Sequence, residues 1–233
     1  MSPRSYRMGQ RQAEVDETRA RIVAAARAHL AETGGVSLDA VARRADVARA
    51  TVYYQFGSKA GLLEAVCDAL AAQGGMAGLA EAFTLADPWA AVDRFVEVMG
   101  GFWAVDRVCT RRLRALAALD EEVGRVIADR DARRREGAAV LAGRLPAAPP
   151  DAASLLFVLT AFETYDALEA EAATGTATGT ATGTATGTAT GTEMGTEAAG
   201  TPDGGGRGGG PTAATPAVIR LVRAALGGPV ERP

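Results

Sequence analysis

The sequence predicts an all-α fold, with an N-terminal three-helix helix-turn-helix unit followed by a larger helical domain. Three observations predict it. Apolar residues recur at three- and four-residue spacings in segment after segment, as on one-sided helices. Helix punctuation brackets those segments, with Ser37, Ser58, Asp87 and Asp120 at starts and Gly34-Gly35 and Gly74-Gly75 at stops. Two of the segments are short and lie close together in the chain, which makes a helix-turn-helix.

The first helix is expected over residues 16–32, where Ile22, Val23, Ala26, Leu30 and Ala31 form one stripe. Asp16 and Glu17 suit its positive N-terminal end. Ser37 caps a second helix, Leu38 to Ala45, with Leu38, Val41 and Ala42 on its inner face. Asp46 and Val47 make the turn, and a third helix follows over Ala48 to Gln55, with Val52 and Phe56 facing inward. A fourth runs from Lys59 to about Gln73, with Leu62, Leu63, Val66 and Leu70 on one side. The second and third are too short to stand alone in water, so they must pack on the first and fourth.

Asp87 and Pro88 open a fifth helix, residues 88–105, with Val92, Phe95, Met99, Phe102 and Trp103 on one face. Residues 107–118 continue as helix, and Asp120 caps a long one reaching Arg144. Asp129 with Arg133 and Asp131 with Arg135 fit pairs on its solvent face, and the run Arg133-Arg134-Arg135 is assigned to that face. Residues 151–171 are expected to form one helix whose large apolar groups, from Leu155 to Leu168, wrap nearly all the way round. Such a helix is buried on most sides, here against a second copy of the chain. Residues 216–226 form the last helix.

Between these lies a low-complexity stretch. Thr174 to Ala189 is the tetrapeptide Thr-Gly-Thr-Ala four times over, and glycine-rich sequence follows through Gly210. Its repeat holds no apolar side chain larger than alanine and cannot repay the entropy of ordering. Residues 173–213 are therefore expected to be a disordered insertion, best explained as tandem repeat expansion. The full layout is a flexible basic arm over 1–15, a helix-turn-helix domain over 16–64 and a second helical domain over 65–228.

Composition narrows the function. The chain has 233 residues and a net charge of −3, split as +4 over residues 1–60 and −7 over the rest. A basic head on an acidic body suits a polyanion. Of 25 basic residues only Lys59 is lysine, which singles out its compact charge; the plainer reading is a GC-rich gene. No apolar run is long enough for a membrane span. The N-terminal Arg4, Arg7 and Arg11 are not followed by the apolar block of a secretory signal. A cytoplasmic address is expected. Two distant cysteines and one histidine, His29, leave no disulfide framework, metal cluster or nucleophile–histidine arrangement. No enzyme, cofactor or metal is expected.

The stretch Val36 to Val66, and above all Thr51-Val-Tyr-Tyr-Gln-Phe-Gly-Ser-Lys59, resembles the TetR (tetracycline-repressor-like) family. The resemblance is strongest over residues 18–70; the rest of the chain is similar only in its helical layout. It implies a homodimeric transcriptional regulator, a repressor by family habit, that binds double-stranded operator DNA. It also implies a small apolar effector in the second domain. The candidate DNA-binding residues are Ser37, Arg49, Ala50, Thr51, Tyr53, Tyr54 and Lys59. Arg49 has the fork to read guanine, Ala50 and Thr51 can meet a thymine methyl, and the tyrosines and Ser37 can reach phosphates. One of the two tyrosines is expected to be partly core. Lys59 looks like the family's phosphate-binding lysine. Candidate effector contacts are Phe95, Met99, Phe102, Trp103, Phe157 and Phe162, all six of which also read as ordinary core. The alternative is a ligand-insensitive DNA-binding or architectural protein, which would lack a cavity. Two departures from the family's pattern stand out: Asp46 occupies a turn position where glycine is common, and Ala48 replaces a Ser or Thr cap.

Overall fold

The computed structural model describes residues 3–181 and 212–229. Among them are eleven α-helices: α1 Pro3–Thr33, α2 Leu38–Arg44, α3 Arg49–Phe56, α4 Lys59–Gln73, α5 Leu79–Thr84, α6 Pro88–Ala104, α7 Arg107–Ala117, α8 Glu121–Ala142, α9 Ala152–Leu159, α10 Phe162–Ala181 and α11 Thr215–Leu226. A single 3-10 turn, Met76–Gly78, precedes α5. No strand occurs among the described residues.

Local chemistry sets the starts. The Ser37 hydroxyl accepts from the Ala40 N–H (3.3 Å), Ser58 from Gly61 (3.0 Å), Asp87 from Trp89 (2.9 Å) and Asp120 from Glu122 and Val123 (3.1 and 3.2 Å). Each bond satisfies an N–H that the first helical turn leaves without a partner. Ala48 offers α3 no such bond. α1 stops at Gly34, whose φ of +74° lets its N–H close on the Leu30 carbonyl at 2.8 Å.

Asp46, in the turn between α2 and α3, sits at φ +51°. That region is strained for a residue with a Cβ, though aspartate tolerates it better than most. Asp46→Gly is expected to raise stability by about 0.5–1 kcal/mol, read as a higher urea midpoint at unchanged slope. A lower midpoint would mean that the Asp46 side chain contributes more than its backbone costs.

Three expectations need correction. The segment 1–15, expected to be a flexible arm, is helical from Pro3 and continuous with the rest of α1. Arg11, Gln12, Ala13 and Glu14 are good helix formers, and Gln12 donates to Asp16 at 2.9 Å one turn on. The helix expected over 151–171 is two helices. The Thr160 hydroxyl returns to the Leu156 carbonyl (2.6 Å), Thr164 Oγ1 donates to the Val158 carbonyl (2.9 Å), and Arg134 takes the Phe157 carbonyl. The Leu156 carbonyl keeps its helical bond from the Thr160 N–H (3.1 Å), but Arg134 and Thr164 take the Phe157 and Val158 carbonyls, and the Ala161 N–H turns to Val158 (3.1 Å) instead of Phe157. Val158 is 58% exposed, so this region is not buried all round within one chain. Finally, α10 carries the first part of the repeat, residues 174–181, in its own continuation, with Thr174 Oγ1 on the Ala170 carbonyl at 3.0 Å. The remainder of the expected disordered insertion, residues 182–211, lies outside the described residues.

Apolar packing crosses the expected boundary near residue 64. One apolar cluster fills the inner faces of α1–α4, with Ile22, Leu30, Val41, Val52, Leu62, Leu63 and Val66 at its centre. It also takes in Cys109 and Leu113 of α7 and Val123 and Val126 of α8. A second cluster joins α6, the C-terminal half of α8, α9, α10 and α11 through Phe95, Met99, Leu141, Leu156, Tyr165 and Val222. Phe102 of α6 packs against both. α4 continues across position 64 and is buried in the same core as far as Leu70. Each of these buried side chains contributes about 1.5–3 kcal/mol, so the two units are tied by the same force that builds each of them.

Candidate nucleic-acid interface and the cavity behind it

α3 has two faces. Val52 is buried and Phe56 packs on the head core, with the Arg19 guanidinium 4.4 Å over its ring. On the opposite side Arg49, Ala50, Tyr53 and Tyr54 are exposed, Tyr54 almost fully; Thr51 is half-buried. Both tyrosines are exposed, Tyr53 at 46% and Tyr54 at 88%, so the expectation that one would be partly core is not met.

Arg49 is held before any ligand arrives. Its Nη1 lies 3.1 Å from Asp39 of α2, and its guanidinium lies 5.6 Å over the Tyr53 ring. The phenol and the Asp39 carboxylate push its pKa above the ordinary arginine value. Ser37, exposed at the start of α2, is committed through its oxygen to the Ala40 N–H. Arg49, Ala50, Tyr53 and Tyr54 are thus exposed along α3, and Asp39, two residues after Ser37, reaches across to Arg49.

Lys59 stands apart. Its ammonium lies 2.5 Å from Asp120 and 3.7 Å from Glu122, at the start of α8. The Ala60 N–H donates to the same Glu122 at 3.4 Å. Asp120 serves two helices: Oδ1 caps α8, and Oδ2 takes Lys59. Lys59 holds the Asp120 carboxyl below the usual aspartate range, and the Val123 N–H assists. This clasp links residues 61 positions apart. Nothing local in the sequence announces it beyond the lone lysine and the Asp-Glu-Glu start of α8.

Behind the head lies a cavity of about 470 Å³, walled by α4 to α8. Phe95, Met99, Phe102 and Trp103 line it, as four of the six candidate effector contacts. Phe162 does not; it packs edge-on against the Trp103 ring, 5.6 Å between centroids. Phe157 lies instead at a separate surface recess beside α8, under the guanidinium groups of Arg134 and Arg135, each 3.9 Å from its ring centre.

The charged run on α8 also departs from expectation. Arg134 is buried, 8% exposed, and Asp131 turns to Arg114 (3.2 Å) and Arg134 (3.4 Å) rather than to Arg135. The pattern was present in the sequence: Val123, Ile127, Arg130, Arg134, Ala138 and Leu141 recur at three- and four-residue steps, so the buried stripe of α8 runs through two arginines. Cys67 and Cys109 are buried free thiols, and burial pushes Cys109 up to about 12, which leaves it protonated and unreactive. No helix among the described residues is long and apolar enough to cross a membrane.

Residues 22–66 match the bacterial regulatory proteins of the tetR family. No curated protein matches the chain. Among solved structures, the chain is similar to a transcriptional regulator from Rhodococcus sp. Rha1, at 23% identity and a TM-score of 0.49, over 63% of this chain and 81% of that one.

Proposed function

We propose that the chain, whose residues 22–66 match the bacterial regulatory proteins of the tetR family, is a DNA-binding transcriptional regulator, a ligand-responsive repressor gripping a palindromic operator as a homodimer. It works in the cytoplasm and is not an enzyme. α3 is the recognition helix, with Arg49, Ala50, Thr51 and Tyr53 toward base edges and Ser37, Tyr54 and Lys59 toward phosphates.

One observation carries the ligand-responsive part. α4 begins at Lys59 in the head and lines the cavity at Cys67 and Leu70, while α8 begins at the Asp120 clasp and lines the same cavity further along. Both helices therefore run from the cavity to the contact that steadies Lys59. A ligand that prefers one packing of α4 on α8 shifts the head by its difference in affinity for the two states. A ligand-insensitive protein would have no use for a cavity of this size beside the head.

The dimer places two recognition helices about 34 Å apart on one face of the duplex. Val158 of α9 and Leu221 of α11, 58% and 44% exposed, suit a second copy better than water.

Sequencing DNA selected from a random pool by the purified chain tests the reading. A palindrome with half-sites about 10 bp apart supports it, together with a dimer by light scattering. Absence of any enriched sequence sinks it.

A further inference from the structure

We propose that the cavity takes an amphipathic carboxylate, its apolar part among the aromatic side chains and its carboxylate on the guanidinium groups of Arg130 and Arg134. This rests on the reading of the chain as a ligand-responsive regulator and names the class of ligand.

The two arginines stand one turn apart on α8 and both line the cavity. The Nε of each is buried and has no hydrogen-bond partner in the protein. Other donors of both groups are partly engaged. Arg134 Nη1 donates to the Phe157 carbonyl and, at 3.3 Å, to Thr160 Oγ1. Arg130 Nη2 donates to Asp68 at 2.7 Å and to the Glu64 carbonyl at 3.1 Å.

Compensation of charge is uneven. The carboxylate nearest Arg134 is Asp131, at a long 3.4 Å, and Asp131 is shared with Arg114. Asp68 and Glu163 draw Arg130 and Arg114 toward the surface. On the cavity wall itself Arg114, Arg130, Arg133 and Arg134 face only Asp131 and Glu136. Burial pushes the Arg134 guanidinium below its ordinary value, the mark of a cation that its surroundings do not fully repay.

Much of the remaining lining is apolar, with Phe83, Phe95, Met99, Phe102, Trp103 and Leu113. A neutral apolar ligand would fill that side and leave both Nε–H groups unpaired, which is costly in a dry site. A carboxylate meets the planar donors of guanidinium with charge-assisted bonds and leaves the apolar wall to the rest of the molecule. A volume of about 470 Å³ is in the range of small-molecule sites.

The test uses the full chain carrying Trp89→Phe, so that the tryptophan fluorescence is that of Trp103, which lies in the wall. Decanoate and 1-decanol are titrated below their aggregation concentrations. Decanoate is expected to bind at least about tenfold more tightly than the alcohol. Arg134→Met should abolish that preference, read as the ratio of the two affinities measured on the same variant. Arg130→Met should reduce it, and since Asp68 is mostly exposed this variant keeps the proposal falsifiable if Arg134→Met does not fold. Equal binding of acid and alcohol overturns the proposal, as does no binding of decanoate, or a preference that survives both substitutions. Operator binding is measured on the same preparations. Protein that binds operator and ignores the acid rejects the ligand class alone; protein that binds no DNA rejects the regulator reading with it.

Discussion

Arg49→Ala is expected to lower operator affinity by about a hundred- to ten-thousandfold, measured by fluorescence anisotropy at fixed salt. A bidentate arginine–guanine contact discriminates by about ten- to a hundredfold, and a twofold complex makes it twice. The side chain is well placed for it. Arg49 is the first residue of α3, exposed, with Asp39 and the Tyr53 ring holding its guanidinium away from the protein core. Leaving Asp39 costs little, because an exposed ion pair contributes little. Arg49→Lys separates charge from shape: it keeps the cation and loses the fork, so nonspecific binding should persist while the preference for operator collapses. Affinity within about twofold of the parent for Arg49→Ala would show that α3 does not read bases through this residue.

Lys59 supplies the second large effect, in two opposite directions. Lys59→Ala should weaken operator binding and make it less salt-dependent, with the slope of log affinity on log salt shallower by about one per protomer. Asp120→Asn should do the reverse, tightening binding several-fold and steepening the slope, since it releases the ammonium from its strongest partner. Asparagine keeps the cap on α8, so the helix start survives the substitution. Glu122, at 3.7 Å, retains a weaker hold, and adding Glu122→Gln should enlarge the gain. If Lys59→Ala changes neither affinity nor slope but lowers the melting temperature, the lysine is a strut between α4 and α8 and not a phosphate contact.

The clasp has a defined pH window. The folded Asp120 carboxyl is depressed, chiefly by its bond to Lys59. Its stabilisation is therefore complete above the unfolded aspartate value of about 3.9, and is lost as pH falls through the lower folded value. Near neutrality the clasp should not titrate. Any pH dependence of operator binding there must come from other groups.

The helices and their starts were readable because their causes are local. A serine or aspartate satisfies N–H groups two or three residues on, and a glycine relaxes the stop, so Ser37, Ser58, Asp87, Asp120 and Gly34 act as their neighbours dictate. The outward residues of α3 were readable for the same reason, since Val52 and Phe56 had to point the other way. The start of α1 was missed because its extension rests on propensity without an apolar stripe. The break at Thr160 was missed because it depends partly on Arg134, a residue of another helix.

What the order of residues established was a helical chain with a helix-turn-helix head and a candidate set of DNA contacts. What only packing in three dimensions decided was the Lys59–Asp120 clasp, the burial of Arg134, the shared core of head and body, and the cavity. Each of these joins positions far apart in the chain, and a cavity is space that no residue encodes by itself. Helix periodicity states which side of a helix is inward, but not which helix it meets there, and the partner determines whether an inward arginine is a solvated charge or a ligand's counter-ion.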